Sequence, residues 1–327
     1  MTGRIAFVPC MQCCVEDMKN GQIPDSTTYE ILTSDNGVIF FKCKNNHENC
    51  LIIQEQPFEI LLEMAIENLI DRYYREAIFN FAAAQERCLE FCIKLILFEQ
   101  GIEHNVYEDL WKKVYKASSE RQLGAFHSLY LMRFKKTFDY NNDKINLRNN
   151  IVHKGEIATK QKAFEYGTYI LNNIYTIVEE IVENINPKIL SDFIFKKLAD
   201  KQSKANLKPN IRISTMSSSI VSWTCMTDEE VEQEQKLIQY SKIHSDEYAR
   251  KASEANAYGN KKLYVNDANE LIIVDASDVN VQKSNARYRG RRELEKLMKQ
   301  VSNMREHYRA TKAGLVEKAS VVSYLDE

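Results

Sequence analysis

Two short segments near the amino terminus contain residues that commonly bind zinc. Cys10 and Cys13 are separated by two residues, and Cys43 and His47 are separated by three. Zinc prefers thiolate and imidazole ligands in a tetrahedron, and two such pairs brought together by the fold usually complete a structural site. A segment of about fifty residues rarely builds a stable core without such a crosslink. The spacing therefore predicts a structural Zn²⁺ held by Cys10, Cys13, Cys43 and His47.

Two other cysteines leave the ligand set open. Either Cys14 or Cys50 could replace one of the four ligands, and the pattern alone does not distinguish these sets. The competing interpretation is a group of buried thiols that holds no metal. A site with four protein ligands has no open coordination position, so we assign the predicted zinc a role in structure or recognition. For the same reason, a zinc-dependent hydrolase is the least favoured class of function.

A second pattern lies in the middle of the chain, where residues 146–155 read NLRNNIVHKG. Arg148, Asn149 and His153 form the pattern R-N-x-x-x-H. In a helix, Asn149 and His153 share one face, Arg148 lies about 140° from His153, and Gly155 is a natural helix end. An imidazole can transfer protons near neutral pH, and a guanidinium can stabilise charge on a phosphate. The pattern favours metal-independent cleavage of RNA through the ribose 2′-OH.

One arginine and one histidine supply only part of such a site, because transesterification benefits from both an acid and a base. A symmetric dimer that brings two copies of the motif together would supply both groups, so we predict a homodimer. Asn149 would orient the imidazole or bind a phosphate oxygen. The competing interpretation is an ordinary helix end at which His153 is a solvated cation near the carboxyl terminus of the helix.

The predicted secondary structure that positions these residues changes from strands to helices along the chain. Residues 1–54 have strand patterns, and Asp35-Asn36-Gly37 predicts a hairpin between TTYEILTS and GVIFFKC. Residues 57–186 have the helical periodicity of a bundle of four or five helices. We predict a mainly α protein with a small amino-terminal β zinc ribbon at 1–54 and a helical bundle at 57–186.

The remaining residues, 188–327, have weaker patterns and no predicted role of their own. They predict a mostly helical region with a short helix at 188–200, a polar linker, a long polar helix at 227–259 and a basic helix at 284–312. Between the last two helices, the sequence KKLYVNDANELIIVDA predicts a short hairpin.

Charge and hydropathy restrict the partners. The chain has 44 Lys and Arg against 46 Asp and Glu, so a site for a polyanion must be local. One candidate RNA-binding set consists of Lys154, Arg287, Tyr288, Arg289, Arg291 and Arg292. The competing interpretation is a basic helix start that pairs with nearby acids. No stretch has the length and hydropathy of a membrane span, and the amino terminus does not read as a signal peptide, so we expect a cytoplasmic protein without a membrane partner.

The segments YYREAIFNFAAAQERCLEFCIKLIL and LRNNIVHKG, the second followed by a long apolar helix, resemble the HEPN superfamily. These helical domains occur in prokaryotic toxins, phage-defence proteins and CRISPR-associated nucleases. The resemblance covers residues 57–186, and the amino-terminal C-x2-C…C-x3-H arrangement is also similar to bacterial proteins of this group.

The resemblance implies a metal-independent endoribonuclease that acts as a dimer and needs no cofactor for catalysis. It assigns the catalytic arginine to Arg148, the adjacent polar residue to Asn149 and the catalytic histidine to His153. It also implies an antitoxin or a defence-system partner. Some toxins of the superfamily carry a modified tyrosine where this chain has Gly155, so that mode of control is not expected. The alternative function is a non-catalytic scaffold that binds nucleic acid or protein.

Overall fold

The structure is a computed structural model of the 327-residue chain. It describes residues 5–20, 27–31, 37–43, 45–115, 119–204, 212–216, 236–241 apart from 238, 243–257, 261–275 apart from 267, and 291–312. The prediction of a mainly α fold is confirmed, because helices account for most of these residues.

The amino-terminal part contains four strands and one helix. In chain order these are β1 (Ile5–Pro9), α1 (Met11–Lys19), β2 (Thr27–Ile31), β3 (Val38–Lys42) and β4 (Glu48–Ile53). The bundle follows with α2 (Pro57–Ile70), α3 (Tyr74–Glu99), α4 (His104–Leu110), a π-helical turn (Trp111–Tyr115), α5 (Ser119–Phe134), α6 (Asn142–His153) and α7 (Lys160–Asn184). The carboxyl-terminal part contains α8 (Pro187–Lys204), β5 (Arg212–Met216), α9 (Ser245–Ala257), β6 (Lys261–Val265), β7 (Leu271–Asp275) and α10 (Leu294–Lys312).

The predicted hairpin between β2 and β3 is wrong. β2 pairs with β1, and β3 pairs with β4, both antiparallel, while β5 adds to β4 in parallel. Of the segment CMQCC, Cys10 precedes α1 and the remaining four residues form its first turn. The Asp-Asn-Gly sequence favours a tight turn but does not decide which strands pair. Both faces of the β3–β4 pair are apolar, so each face requires an element that covers it. The predicted polar linker likewise contains β5, which completes this sheet.

The two faces of the β3–β4 pair are covered by different helices. Ile39 and Leu51 pack with Ile60 of α2 on one face. Val38 and Ile52 are buried on the opposite face, together with Leu198 of α8 and Ile213 of β5. The small sheet is therefore fixed between two helices of the main body.

Two lysines of α8 fasten the segment that joins β4 to α2. Lys201 Nζ donates to the carbonyl of Ile53 at 2.7 Å, and Lys197 Nζ donates to Gln56 Oε1 at 2.9 Å. Gln56 is also the amino-terminal cap of α2 and forms a capping box with Glu59. The position of α2 is thus set by the same residues that hold the end of β4.

Helix α3 is the centre of the bundle. It contacts α2, α4, α5, α6, α7 and α8, and its buried side chains lie on more than one face. The surrounding core includes Ile66 of α2, Ile170 of α7 and Leu297 of α10, all fully buried. Apolar residues of α8 and α10 therefore belong to the same core as residues 57–186, while the predicted domain boundaries stay a prediction.

The carboxyl-terminal hairpin is confirmed, because β6 and β7 pair in the register Lys261–Asp275 to Val265–Leu271. Of the predicted long polar helix, Ser245–Ala257 is helical, and residues 227–235 lie outside the described residues. Of the predicted basic helix, Leu294–Lys312 is helical, residues 291–293 are not, and residues 284–290 lie outside the described residues. Among the described helices, none combines the length and hydropathy needed to cross a membrane.

Gly167 of α7 lies directly against side chains of two neighbouring helices. A Cβ atom built there would lie 2.6 Å from Phe81 Cε2 and 3.1 Å from Leu294 Cδ2. Both neighbouring side chains are buried in the core and have little room to move. The absence of a side chain at this position allows α3, α7 and α10 to meet.

We predict that Gly167→Ala destabilises the protein and that Gly124→Ala does not. Overpacking should cost about 1–3 kcal/mol, partly offset by about 1 kcal/mol of improved helix propensity. Gly124 is the matched control in α5, because a Cβ atom there would meet nothing within 4 Å. Thermal unfolding should show a lower Tm for Gly167→Ala and an equal or higher Tm for Gly124→Ala; equal Tm values for both variants would contradict the prediction.

Candidate functional site

The four predicted zinc ligands converge at the amino-terminal part of the fold. Cys10 follows β1 directly, and Cys13 lies in the first turn of α1. Cys43 and His47 lie in the turn of the β3–β4 hairpin, where Asn46 has a φ of 61°. Asn tolerates this left-handed conformation better than most residues, so it suits the tight turn between the two ligands.

The distances fit one tetrahedral metal ion. The ligand atoms of Cys10, Cys13, Cys43 and His47 all lie within 4.8 Å of one another. Cys13 Sγ is 3.7 Å from Cys43 Sγ, and His47 Nδ1 is 3.3 Å from Cys13 Sγ and 3.7 Å from Cys10 Sγ. A tetrahedral zinc with Zn–S bonds of about 2.3 Å has ligand–ligand edges of about 3.5–3.8 Å. The cluster can therefore bind a metal ion, and its donor set is that of a structural zinc.

Polar groups around the cluster support this assignment. Asn49 Nδ2 donates to Cys10 Sγ at 3.3 Å and to the His47 carbonyl at 2.9 Å. Asn45 Nδ2 donates to Cys13 Sγ at 3.3 Å. Such donors stabilise thiolates, which are the metal-binding form of cysteine. Asn49 is buried and was not singled out from the sequence, because no spacing rule connects it to Cys10 across 39 positions.

His47 faces the thiols with Nδ1 and a carboxylate with its other ring nitrogen. His47 Nε2 lies 4.0 Å from Glu16 Oε1 of α1. A carboxylate beside the second nitrogen commonly orients a metal-binding imidazole and fixes its tautomer. Glu16 is not one of the four converging residues, and its carboxylate lies beside the imidazole without a hydrogen bond.

The two alternative cysteines lie outside this group of four. Cys50 is buried with Val38 and Ile52 on the face of the sheet that contacts α8. Cys14 is half-buried in α1, and burial raises the pKa of its thiol. Among the described residues, the converging group consists of the four predicted ligands.

We predict that the purified chain binds one Zn²⁺ and that Cys13→Ser abolishes this binding. Loss of one ligand removes the fourth coordination bond and lowers the folding free energy that a bound structural zinc supplies. Cys14→Ser is the matched control, because Cys14 is the next residue and lies outside the group. Native mass spectrometry should show one zinc in wild type and Cys14→Ser and none in Cys13→Ser, with a lower Tm for the last. Zinc retained by Cys13→Ser would contradict this ligand set.

The R-N-x-x-x-H motif occupies the second half of α6. Asn141 caps this helix, because its side-chain oxygen accepts from the backbone N–H groups of Asp143 and Lys144. Gly155 follows the helix with a φ of 75°, a conformation that glycine adopts without steric cost. The predicted helix and its glycine end are confirmed.

Arg148 is held by groups from its own helix and from α3. Arg148 Nη1 donates to Asn149 Oδ1 at 3.0 Å, and Arg148 Nη2 lies 3.4 Å from Glu86 Oε1. Arg148 and Asn149 are half-buried. These contacts orient the guanidinium at the edge between α6 and α3. Glu86 was missed in the sequence because it lies 62 positions from Arg148.

Two tyrosines lie near this guanidinium. Burial, together with the neighbouring Tyr169 and Glu86, raises the pKa of Tyr140 to about 12, although the charge of Arg148 lowers it. Burial also raises the pKa of Tyr166, and Arg148 again opposes the shift. The phenols of Tyr140 and Tyr166 therefore stay neutral at physiological pH and keep their hydroxyl protons.

The other predicted site residues are less closely associated. The backbone of His153 ends α6, and its side chain lies outside the described residues. Lys154 is exposed beside it. Arg291 Nε is 2.9 Å from Glu179 Oε1, and Arg292 is half-buried, whereas Arg287, Tyr288 and Arg289 lie outside the described residues. The structure does not bring Arg291 together with Arg148, because it binds Arg291 to α7 instead.

Comparison of the chain with protein-family models, with curated proteins and with solved structures gives no match in any of the three. The class that the structure defines is therefore a mainly α protein with a cysteine and histidine cluster suited to a metal ion.

Proposed function

We propose that the protein is a metal-independent endoribonuclease whose active site combines Arg148, Asn149 and His153 from two copies of the chain. The observation that carries this proposal is the orientation of Arg148 by Asn149 and Glu86 at a half-buried edge of α6. A guanidinium held in place before the substrate arrives can stabilise charge on a phosphate without reorganising. The resemblance of the motif to the HEPN superfamily supports the same assignment.

The proposed reaction needs one base and one acid. The imidazole of one His153 accepts the proton of the ribose 2′-OH, and the 2′-oxygen attacks the adjacent phosphorus. The bond between phosphorus and the 5′-oxygen breaks, and the protonated imidazole of the second His153 donates a proton to that oxygen. Arg148 donates hydrogen bonds to a non-bridging oxygen as charge accumulates on it. The products are a 2′,3′-cyclic phosphate and a 5′-hydroxyl.

Asn149 and Glu86 are positioning residues in this scheme. Both act on the guanidinium of Arg148 rather than on the RNA. The cysteine and histidine cluster takes no part in the reaction. A bound Zn²⁺ would crosslink β1, α1 and the β3–β4 hairpin and so supply folding free energy.

Exposed apolar side chains near the motif support a dimer at this surface. Arg75 Nη2 donates to the carbonyl of Val152 at 3.4 Å, which places the first turn of α3 against the end of α6. Phe79, one turn further along α3, is 53% exposed, and Ile157, just after Gly155, is 85% exposed. Apolar side chains grouped on one surface are typical of an interface between chains.

The proposal includes a cellular role. A ribonuclease of this kind would act in the cytoplasm as a toxin or as an abortive-infection effector in phage defence, and an antitoxin or another defence-system protein would hold it inactive. The support for this role is the resemblance to the HEPN superfamily, whose members include toxins and phage-defence proteins.

A non-catalytic scaffold is the second candidate function, and one observation favours it. The charge of Arg148 already faces the carboxylate of Glu86 within the same chain, at 3.4 Å. In a scaffold, this ion pair would join α6 to α3, and the motif would have no substrate. The substitution Arg148→Ala distinguishes the two functions. It should abolish RNA cleavage if the protein is a nuclease, and it should lower only the stability if the protein is a scaffold.

We predict that the protein cleaves RNA in the presence of EDTA and that Arg148→Ala and His153→Ala each abolish cleavage. Loss of the positioned cation should lower the rate about 10²–10³-fold, and loss of the proton-transfer group about 10²–10⁴-fold. Gel electrophoresis of total RNA provides the measurement. Arg250→Ala and His244→Ala are the matched controls, because both residues are exposed and lie far along the chain from α6.

The controls should cleave at the rate of wild type. Cleavage by wild type that persists unchanged in Arg148→Ala or His153→Ala would contradict the nuclease. RNA that stays intact with wild type and all variants, together with a Tm that is lowered only in Arg148→Ala, would support the scaffold.

We predict that Phe79→Lys converts a dimer to a monomer and lowers cleavage at least about 10-fold. A lysine at the centre of an apolar interface would be buried without a partner, which disfavours association. Phe195→Lys is the matched control, because Phe195 is 68% exposed on α8, an element that does not carry the motif. Analytical ultracentrifugation gives the oligomeric state. A dimer that survives Phe79→Lys with full activity would exclude this surface as the interface.

A further inference from the structure

An open depression of about 600 Å³ lies where the end of α2, the start of α3, the start of α7 and α10 meet. Three of its eight lining residues are cations, namely Arg72, Lys160 and Lys299, and none is acidic. The chain as a whole has a net charge of −2. A concentration of positive charge at one concave surface therefore differs from the rest of the protein and favours an anionic ligand.

The cations of this depression are not neutralised by the described part of the chain. Arg72, Lys160 and Lys299 form no ion pair with any carboxylate of the described residues. Asp71, the acid closest in sequence to Arg72, is bound by Arg305 Nη2 at 2.9 Å. The charges are thus available to a ligand that carries several negative groups.

The backbone at Arg72 turns the chain from α2 into α3. Arg72 follows the end of α2 with a φ of 66°, in the left-handed region. The chain reverses there, because the N–H of Tyr73 donates to the carbonyl of Asn68 at 2.8 Å. Glycine is the residue that adopts this conformation without a steric cost, so an arginine lowers stability here, as Lys135 does just after α5. The turn brings Arg72 and Tyr74 into the lining of the same depression.

The rest of the lining is suited to a nucleotide strand. Leu69 and Met298 contribute apolar surface, and Tyr74 places an aromatic ring among the three cations. Proteins that bind single-stranded nucleic acid combine basic side chains along the backbone with rings on which bases stack. A single phosphate or a small anion would use the cations but not the ring.

The depression lies beside the proposed active site. Arg75, three residues after Arg72, donates to the carbonyl of Val152 in the last turn of α6. Lys160 is the first residue of α7, and five residues separate it from the residue Lys154 that follows His153. An extended strand of a few nucleotides can span from the depression to the end of α6, since each nucleotide covers several ångströms.

We propose that this depression binds single-stranded RNA, with Arg72, Lys160 and Lys299 on the phosphates and Tyr74 stacked against a base. The inference rests on the proposed function for its choice of ligand, because it treats the depression as the segment of the substrate site that lies beyond the reacting phosphate. In this site, Arg72 lowers the stability of the fold and raises the affinity for RNA.

Binding of an uncleavable strand tests this inference separately from cleavage. The probe is a fluorescent 12-nucleotide oligouridylate with 2′-O-methyl groups, which lacks the 2′-OH that the reaction needs. Fluorescence anisotropy is measured for wild type, Arg72→Gly and Lys299→Gln at several salt concentrations. Lys135→Gly is the matched control, because Lys135 is an exposed cation with a φ of 59° just after α5.

Arg72→Gly and Lys299→Gln should each weaken binding about 5-fold at low salt, and the slope of log K against log salt concentration should fall by about 0.7 for each lost phosphate contact. Arg72→Gly should also raise the Tm by about 2 °C, because glycine relieves the left-handed strain. Lys135→Gly should raise the Tm similarly and leave binding unchanged.

Unchanged binding by Arg72→Gly, or an equal loss of binding in Lys135→Gly, would overturn the inference. Vesicles of phosphatidylglycerol and phosphatidylcholine form a second arm; a dependence on Arg72 seen with vesicles but not with the oligonucleotide would also overturn it. Weakened binding by Arg72→Gly in a protein that never cleaves RNA would reject the proposed nuclease and keep the RNA site. Loss of cleavage in Arg148→Ala together with normal binding by Arg72→Gly would support the nuclease and reject the RNA site in the depression.

Discussion

The burial of α3 is the constraint on which the remaining structure depends. A 26-residue helix with apolar side chains on several faces must be surrounded, and six other helices contact it. Because α3 cannot rotate or slide in such a packed environment, the few polar groups at its edges have defined positions. Glu86 and Arg75 are two of these groups, and both reach α6.

This constraint connects the core to the proposed chemistry. A short helix such as α6, with 12 residues and a mostly polar sequence, has little intrinsic stability. Its position is set by Ile151, which is buried in the core, and by the contacts of Arg148 and Val152 with α3. The start of α3 connects this helix to the depression, because Tyr74 lines the depression and Arg75 donates to the carbonyl of Val152 in α6. The proposed RNA path and the proposed reacting groups thus depend on a single buried helix.

The cysteine and histidine cluster lies at the other part of the fold. It brings β1 and α1 together with the β3–β4 hairpin, whose faces are covered by α2 and α8. Among the side chains that the structure describes, its buried members are Cys10, Cys13 and Cys43. Coordination of a metal ion is an interaction that can stabilise this part of the fold.

The sequence predicted local features well and long-range contacts poorly. The ligands Cys10, Cys13, Cys43 and His47 could be found because pairs of ligands lie a few residues apart, and α3 could be found because helical periodicity persists for many turns. The pairing of β2 and β3 was predicted wrongly, because a turn signal says nothing about the better partners β1 and β4.

Asn49 and Glu86 could not be identified, since their partners lie 39 and 62 positions away and no spacing rule relates them. Both are supporting groups, which act through a neighbouring side chain and so leave no motif of their own. The local patterns therefore located the four residues of the cysteine and histidine cluster and indicated the proposed reacting residues, and the fold supplied the groups that contact them.

The central claim is that RNA is cleaved through its own 2′-oxygen by Arg148 and His153 without a catalytic metal. The most direct measurement is mass spectrometry of the fragment ends from a defined RNA digested in EDTA, compared with the same RNA carrying one deoxyribonucleotide on the 5′ side of the mapped cleavage position. The proposed reaction predicts 2′,3′-cyclic phosphate and 5′-hydroxyl ends on the RNA and no cleavage at the deoxy position. Ends with a 3′-hydroxyl and a 5′-phosphate, or cleavage that continues at the deoxy position, would contradict it.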